Sequence, residues 1–416
     1  MPDVSFTSLW VITIIAFAMP LALGFAPGVR LPSVVLEIVA GIIIGPSVLG
    51  WARADLPVQI LSTLGLAFLL FLAGLEIDVG KLRGRVLTVT GSAFALSFAL
   101  ALIAGFALKA AGQVQQPLFI AIVLAATALG VVIPILKDAG ELSTDFGQLV
   151  TAAATFAEFG AIILLSLFFS GDASGIGTKL FLIGGIAVAA LALALVITGA
   201  ERSMRLSQVL IRLQDTTAQI RVRGAVLLLT TFAVIAAHLG LEIILGAFIA
   251  GAILTIVDPD RMLTHAQFRT KLEAIGFGLF IPVFFVTSGV NFNLAALFSS
   301  PATVARVPVF LVALLLVRGV PALLYRSLLD SRRTLAAALL QATSLSFIVA
   351  ASQIGLQLKV LSLATSAALI AAGLLSVLIF PLLALTLLRG AGVSRNAPAA
   401  VLVQLPTPLP TSGPGK

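Results

Sequence analysis

Long apolar runs, separated by short clusters of Gly, Pro and charge, set the pattern of this chain. They lie near residues 8–25, 32–50, 58–77, 86–108, 116–136, 147–170, 179–200, 223–239, 241–257, 274–292, 303–325, 334–356 and 363–388. Runs of about 17 to 25 apolar residues have the length that carries an α-helix across a hydrocarbon core about 30 Å thick. The pattern predicts an all-α polytopic membrane protein with about 13 transmembrane helices. Residues 1–390 form the transmembrane domain in this reading. Residues 391–416, containing "APAAVLVQLPTPLPTSGPGK", read as a disordered Pro-rich cytoplasmic tail, and no soluble domain is expected after the last span. The start, "MPDVSFTS", lacks the basic n-region of a secretory signal, so the first run is expected to remain in the mature protein. Between runs seven and eight, "ERSMRLSQVLIRLQDTTAQIRVRG" places Leu206, Val209, Leu210 and Leu213 on one helical face among arginines. An interfacial cytosolic helix and an ordinary basic loop both fit it.

The runs also repeat. "LEIVAGIIIG" at 36–45 is similar to "LEIILGAFIAG" at 241–251. "LGLAFLLFLAGLEIDVGKL" at 64–82 is similar to "IGFGLFIPVFFVTSGVNFNLAAL" at 275–297, and "ATALGVVIPILKDAGEL" at 126–142 to "ATSLSFIVAASQIGLQL" at 342–358. The three offsets, 205, 211–215 and 216, preserve the order. The repeats begin at spans 2 and 9, an odd number of crossings apart, so their orientations are opposite. Inverted repeats are the architecture of secondary transporters, in which two half-structures of similar energy exchange by rocking. Spans 5 and 12 carry the third match and hold mid-membrane polar clusters: Thr127 in one, and Gln341, Thr343, Ser344 and Ser346 in the other. With Gly130 and Pro134 in span 5, these suggest broken helices, which the bilayer tolerates only where they are buried in protein or line a cavity. The other reading is that the hydroxyls bond back to their own helix carbonyls.

Composition agrees with the pattern: 60% of residues are hydrophobic and 10% charged, against roughly 25% charged in soluble domains. With no cysteine, thiol chemistry is excluded; two histidines make a histidine metal cluster implausible, and no cofactor is expected. The net charge of +8 does not call for nucleic acid, because its distribution has another explanation. One set of loops holds 19 Lys and Arg, the other holds Arg53, Lys109, Lys179, Arg306 and Lys359, and the last of the 25, Arg318, lies inside span 11. Cytoplasmic loops collect positive charge. The expected location is therefore the cell (inner) membrane, multi-pass, with the N-terminus outside and the C-terminus cytoplasmic.

Two charges lie within apolar spans. Glu158, in "TAAATFAEFGAIILLSLFF", sits about 12 residues from either end of span 6. A charge at the bilayer centre costs roughly 2.5–3.5 kcal/mol even on insertion scales. Arg318, in "VALLLVRGVPALL", is its obvious partner, although the arginine also lies close enough to the cytoplasmic end to snorkel. Glu37 and Glu242 start spans 2 and 9, where a helix N-terminus suits an acid, and Glu76 and Asp78 close span 3 beside Lys81; these four read as structural. His238 and His265 lie near the two surfaces and offer at most a pH-sensing role. Burial disfavours an ionised carboxyl and a nearby cation favours it. A group balanced between these holds either a proton or a small cation, which is the minimal means of exchanging one for the other. The GxxxG spacing of Gly41 and Gly45, echoed by Ala247 and Gly251, fits close helix contact, either in a homodimer or within one chain.

At these residues the chain resembles the membrane domain of the monovalent cation:proton antiporters, in the second branch that includes Kef-type systems and several bacterial Na+/H+ exchangers. "EIVAGIIIGPSVLG", "LGLAFLLFLAGLEID", "FIPVFFVTSGVNFNL" and the span-6 acid carry the resemblance over about residues 8–390. It implies interleaved dimerisation and core subdomains, spans 5 and 12 crossing as discontinuous helices, and an elevator-like movement of the core. It also places Glu158 at the essential carboxylate, usually Asp, Thr127 at the polar residue of the first broken helix, and Arg318 at a position that is Lys in many members. Ala157 stands where members commonly carry Asp, Asn or Gln. The expected function is exchange of a monovalent cation, Na+ or K+, for H+, with Glu158, Thr127 and Ser344 binding the ion or proton, Glu158 as the ligand of the transported metal ion, and Arg318 as charge partner. Arginine does not give up its proton, so one exchangeable carboxylate predicts electroneutral 1:1 exchange. The expected partners are the two ions, the bilayer and a second copy of the chain. A symporter of organic anions and a transport-uncoupled sensory domain are the other readings. No nucleophile–base pair or metal motif suggests an enzyme.

Overall fold

The computed structural model describes residues 5–25, 32–75, 84–169, 176–201, 212–213, 216–239, 241–257 and 266–389. Residues 1–4, Glu76, Asp78, Lys81, His265, most of the segment read as an interfacial helix and the Pro-rich tail lie outside them. Every regular element among the described residues is helical. Helix α1 (Thr7–Phe25) comes before the first repeat, which runs through α2 (Ser33–Ile44), α3 (Leu56–Leu75), α4 (Gly84–Ala110), α5 (Pro117–Ala125), α6 (Leu129–Asp138) and α7 (Asp145–Phe169). Helices α8 (Ile176–Glu201) and α9 (Ile220–His238) follow, then α10 (Ile243–Val257), α11 (Ala266–Ile275), α12 (Ile281–Val290) and the short α13 (Leu294–Leu297). The described residues end with α14 (Pro301–Leu314), α15 (Ser331–Gln341), α16 (Ser346–Gln357) and α17 (Leu363–Arg389). Among the described residues, nine helical stretches are long and apolar enough to cross a membrane. Shorter apolar helical stretches lie at Ser33–Ile44, Pro117–Ile133, Leu180–Leu193 and Ile243–Thr255.

Two of the crossings are interrupted, as the polar clusters suggest. Helix α5 stops at Ala125 and α6 starts at Leu129; α15 stops at Gln341 and α16 starts at Ser346. Both breaks are wholly inside the protein, with Ala126, Thr127, Ala128, Ala342, Thr343 and Ser344 all at 0% exposure. The first break falls upstream of Gly130 and Pro134, which lie within α6. The outward surface is of the opposite kind. Trp10, Phe17 and Phe25 of α1 and Phe181 of α8 are all more than half exposed, a surface that lipid covers and water would not.

Close helix packing relates the two repeats reciprocally. Helix α2 of the first repeat packs on α12 of the second, and α10 of the second packs on α3 of the first. Glycine makes both contacts possible. A Cβ at Gly41 would run into the Val286 carbonyl oxygen, and one at Gly289 into that of Ile38. In the mirror contact, a Cβ at Gly74 would meet the Phe248 carbonyl and one at Gly251 the Phe71 carbonyl. Gly45 also packs on α12, less tightly, with a Cβ there coming within 2.9 Å of the Val290 Cα. The GxxxG pair of α2 is thus used within the chain, and the dimer reading of that motif is withdrawn. Glu37 also departs from expectation. Helix α2 begins at Ser33, so Glu37 lies beyond its first turn, and it is 3% exposed; its place is in the packed interior rather than at a helix cap.

The glycine contacts yield a test. Gly41→Ala should destabilise the protein by about 1–3 kcal/mol through overpacking against backbone that has no room to yield. Gly91→Ala, where a Cβ would meet nothing within 4 Å, should be neutral. Thermal unfolding of the two variants in detergent checks the difference.

Candidate ion-binding site

The site is built where the broken helices meet α4, α7 and the helix following α14. Helix α7 approaches closely because its inner face is small: Ala153, Ala154, Ala157 and Ala161 are all at most 3% exposed. Among them Glu158 is carried into the interior, 3% exposed. Its Oε2 accepts the backbone N–H of Leu129 at 3.0 Å. Leu129 is the first residue of α6, and the first N–H groups of any helix have no partner within it. The carboxylate therefore satisfies an orphaned donor and faces the positive end of the α6 dipole.

Arg318 occupies the opposite electrostatic position. It lies in a π-helical turn, Leu315–Gly319, followed after one residue by Pro321. Proline cannot donate to the preceding turn, and wide π turns of this kind commonly place functional side chains. Its Nε donates to Thr127 Oγ1 at 2.8 Å, Nη1 to Ser97 Oγ at 2.9 Å and Nη2 to Gln341 Oε1 at 2.5 Å. The guanidinium is thus beside the C-terminal ends of α5 and α15, where helix dipoles favour a cation. None of these three acceptors is a carboxylate, so the expected pairing with Glu158 is indirect. It runs through Thr127 and two residues of backbone to Leu129.

Two of the partners of Arg318, Thr127 and Gln341, are themselves fixed. Thr127 Oγ1 donates to the Gln341 carbonyl at 2.6 Å. With one lone pair taken by Arg318, its hydroxyl keeps one at most. Gln341 Nε2 donates to the Val150 carbonyl of α7 at 2.8 Å. The two breaks are joined directly by Ala128 N–H donating to the Thr343 carbonyl at 3.0 Å. At the second break Ser344 N–H donates to Ser376 Oγ of α17 at 3.1 Å. The hydroxyls of Ser344 and Ser346 are buried and have no hydrogen-bond partner.

The structure thus brings Thr127 and Arg318 into direct contact and places Glu158 at the end of the same break. Ser344 lies at the second break, presenting an unused hydroxyl. Sequence reasoning missed Ser97 and Ser376. Each is a lone hydroxyl in an apolar run, where bonding to its own helix is the ordinary outcome, so neither gave a signal. Gln341 was visible only as part of a polar cluster, not as the residue that holds Arg318.

Comparison with known proteins follows this geometry. The family model described as sodium/hydrogen exchanger, transmembrane, matches residues 13–389. The chain belongs to the sodium/hydrogen exchanger family. Among its relatives, YjbQ of Bacillus subtilis is 31% identical over 399 residues, covering 92% of this chain and 63% of the relative. The Na+/H+-K+ antiporter GerN of Bacillus cereus is 28% identical over 265 residues, covering 62% of this chain and 65% of GerN. The chain therefore spans less than two thirds of the length of either relative. The sodium proton antiporter MjNhaP1 of Methanocaldococcus jannaschii shares the fold, with a TM-score of 0.66 at 20% identity over 91% of this chain and 97% of that one. The chain is accordingly an all-α, multi-pass membrane protein.

The Arg318 cradle predicts a stability effect. Gln341→Leu removes an acceptor from a buried cation and a donor to Val150, and should cost about 1.5–3 kcal/mol or more. Gln341→Glu keeps the acceptor and should recover most of the loss. Thermal unfolding at matched detergent and pH separates the two.

Proposed function

We propose that the chain exchanges one monovalent cation, Na+ or K+, for one proton across the cell membrane, with Glu158 as the group that holds each in turn. The observation that carries this reading is one buried carboxylate capping a mid-membrane helix break, near a second break whose Ser344 and Ser346 hydroxyls have no partner. Family membership and the names of the relatives agree with it. The ionised carboxylate, which accepts the Leu129 N–H, is the negatively charged oxygen donor for a cation, and the serine hydroxyls offer neutral oxygen. Protonation removes the charge that retains the cation. Competition for one carboxylate couples the two fluxes without any further device.

Arg318 remains charged throughout and compensates the C-terminal ends of α5 and α15. Thr127 then acts mainly by positioning Arg318. With a single group changing its load, exchange is electroneutral. The loop charge count supports an N-terminus outside and a C-terminus in the cytoplasm. The resemblance supports a homodimer and a moving core containing the broken helices; the exposed apolar faces of α1 and α8 are the surfaces such a dimer has available.

The test uses proteoliposomes with an internal pH dye and an imposed proton gradient, to which Na+, K+ and Li+ are added in turn. Cation-triggered proton movement is expected in the wild type and its loss in Glu158→Gln, with the variant still eluting as a folded species. An imposed membrane potential should leave the rate unchanged. A rate that follows the potential would overturn the 1:1 stoichiometry, and movement that survives in Glu158→Gln would overturn the assignment of the carboxylate.

A further inference from the structure

A second concentration of side-chain oxygen lies away from the crossing. Beside the C-terminal ends of α12 and α16 and the start of α17, a cleft is lined by Ser288, Asn291, Asn293, Ser352, Gln353 and Ser366 among apolar residues. None of its lining residues is charged. Gln353 Nε2 donates to Ser288 Oγ at 3.2 Å, which ties α16 to α12 across the cleft. Ser352 is 1% exposed, and its hydroxyl has no hydrogen-bond partner. A buried hydroxyl is normally satisfied, so this one calls for an explanation.

The internal repeat makes the composition of the cleft informative. At the offset of 215 that aligns the ends of spans 3 and 10, Asn291 and Asn293 correspond to Glu76 and Asp78 of the first repeat. At the offset of 216 that aligns the broken spans, Gln353 corresponds to Lys137. Three charged residues of one repeat are thus three amides in the other. Because the repeats are inverted, the amides belong to the side of the membrane opposite the charges, which the loop count makes the outer side.

The cleft also leads towards the break. Ser346, Val349, Ser352 and Gln353 fall at helical spacing along α16, and Ser346 is another buried hydroxyl without a partner. Six residues separate Ser346 from Ser352, about 9 Å along the axis, and Ser344 lies two residues beyond. Unused hydroxyls therefore step from the cleft to the second break.

We infer that this cleft is a second cation station, made of neutral oxygen, which receives a monovalent ion on the outer side before or after its visit to Glu158. The inference rests on the proposed exchange function. Hydroxyl and amide oxygens replace part of the hydration shell of an alkali cation and hold it loosely enough to release it, as conduction pathways require. Divalent cations draw on carboxylate ligands, which the cleft lacks. With no titratable group in the lining, binding here is independent of pH, whereas a cation at Glu158 competes with protons. Contributions from both α12 and α16 mean that the station exists only while those helices stand in this relation.

Binding of Na+ to the purified full chain, read by 23Na NMR relaxation at constant ionic strength with choline chloride as the balance, tests the inference. In Glu158→Gln a weak Na+ site should persist, with the same affinity at about pH 6 and about pH 8, a range in which no hydroxyl or amide titrates. Adding Asn291→Ala or Gln353→Lys to Glu158→Gln should weaken that remaining binding about tenfold or more, roughly 1.4 kcal/mol. Asn291 is exposed, so its replacement leaves packing intact. Disappearance of all specific Na+ binding in Glu158→Gln, or residual binding unaffected by both second substitutions, would overturn the station. Persistent station binding in a wild-type protein that moves no protons in response to any cation would instead overturn the exchange reading and leave the station standing.

Discussion

Breaking a helix inside a membrane leaves backbone groups without partners and helix dipoles without water to screen them, and everything at the centre of this protein answers that constraint. The N-terminal end of α6 is met by Glu158. The C-terminal ends of α5 and α15 are met by Arg318, itself held by Ser97, Thr127 and Gln341. One backbone bond, from Ala128 to Thr343, closes the crossing. An unsatisfied polar group in hydrocarbon costs several kcal/mol, so the two buried charges stabilise the very irregularity that makes an ion site possible. The acid and the base stay apart because each has a helix end to compensate.

This division leaves an asymmetry between the repeats. At the first break the N-terminal end of the second half-helix is capped by a carboxylate; at the second, Ser344 N–H is met by the neutral hydroxyl of Ser376. Only one of the two crossings can therefore change its charge, although both present oxygen. The cleft beside α12 and α16 continues that asymmetry, with amides standing where the first repeat has charged residues.

Much of the architecture was legible in the sequence because lipid makes hydropathy a strong signal. The runs gave the helices, and the repeat with its polar clusters gave the two breaks to within a few residues. Glu158 and Arg318 stood out by their cost. The lost information was of two kinds. Ser97 and Ser376 are ordinary hydroxyls whose importance arises only from what lies opposite them. Glu37 was misplaced although its span was read from residue 32: α2 starts at Ser33, which puts Glu37 in the second turn, and an apolar run does not show which of its turns packs into the interior. The GxxxG motif of α2 announced a close contact correctly but could not say with which helix.

That contact has a consequence for what can move. With Gly41 and Gly289 seated on opposing backbone, and Gly74 and Gly251 likewise, neither helix of a pair can slide along the other without lifting out of its pit. Backbone lodged against backbone behaves as a ratchet with no intermediate tooth. Helices α2, α3, α10 and α12 thus have two fixed registers joining opposite repeats, a rail of constant geometry. Any displacement that carries an ion across has to be measured against it.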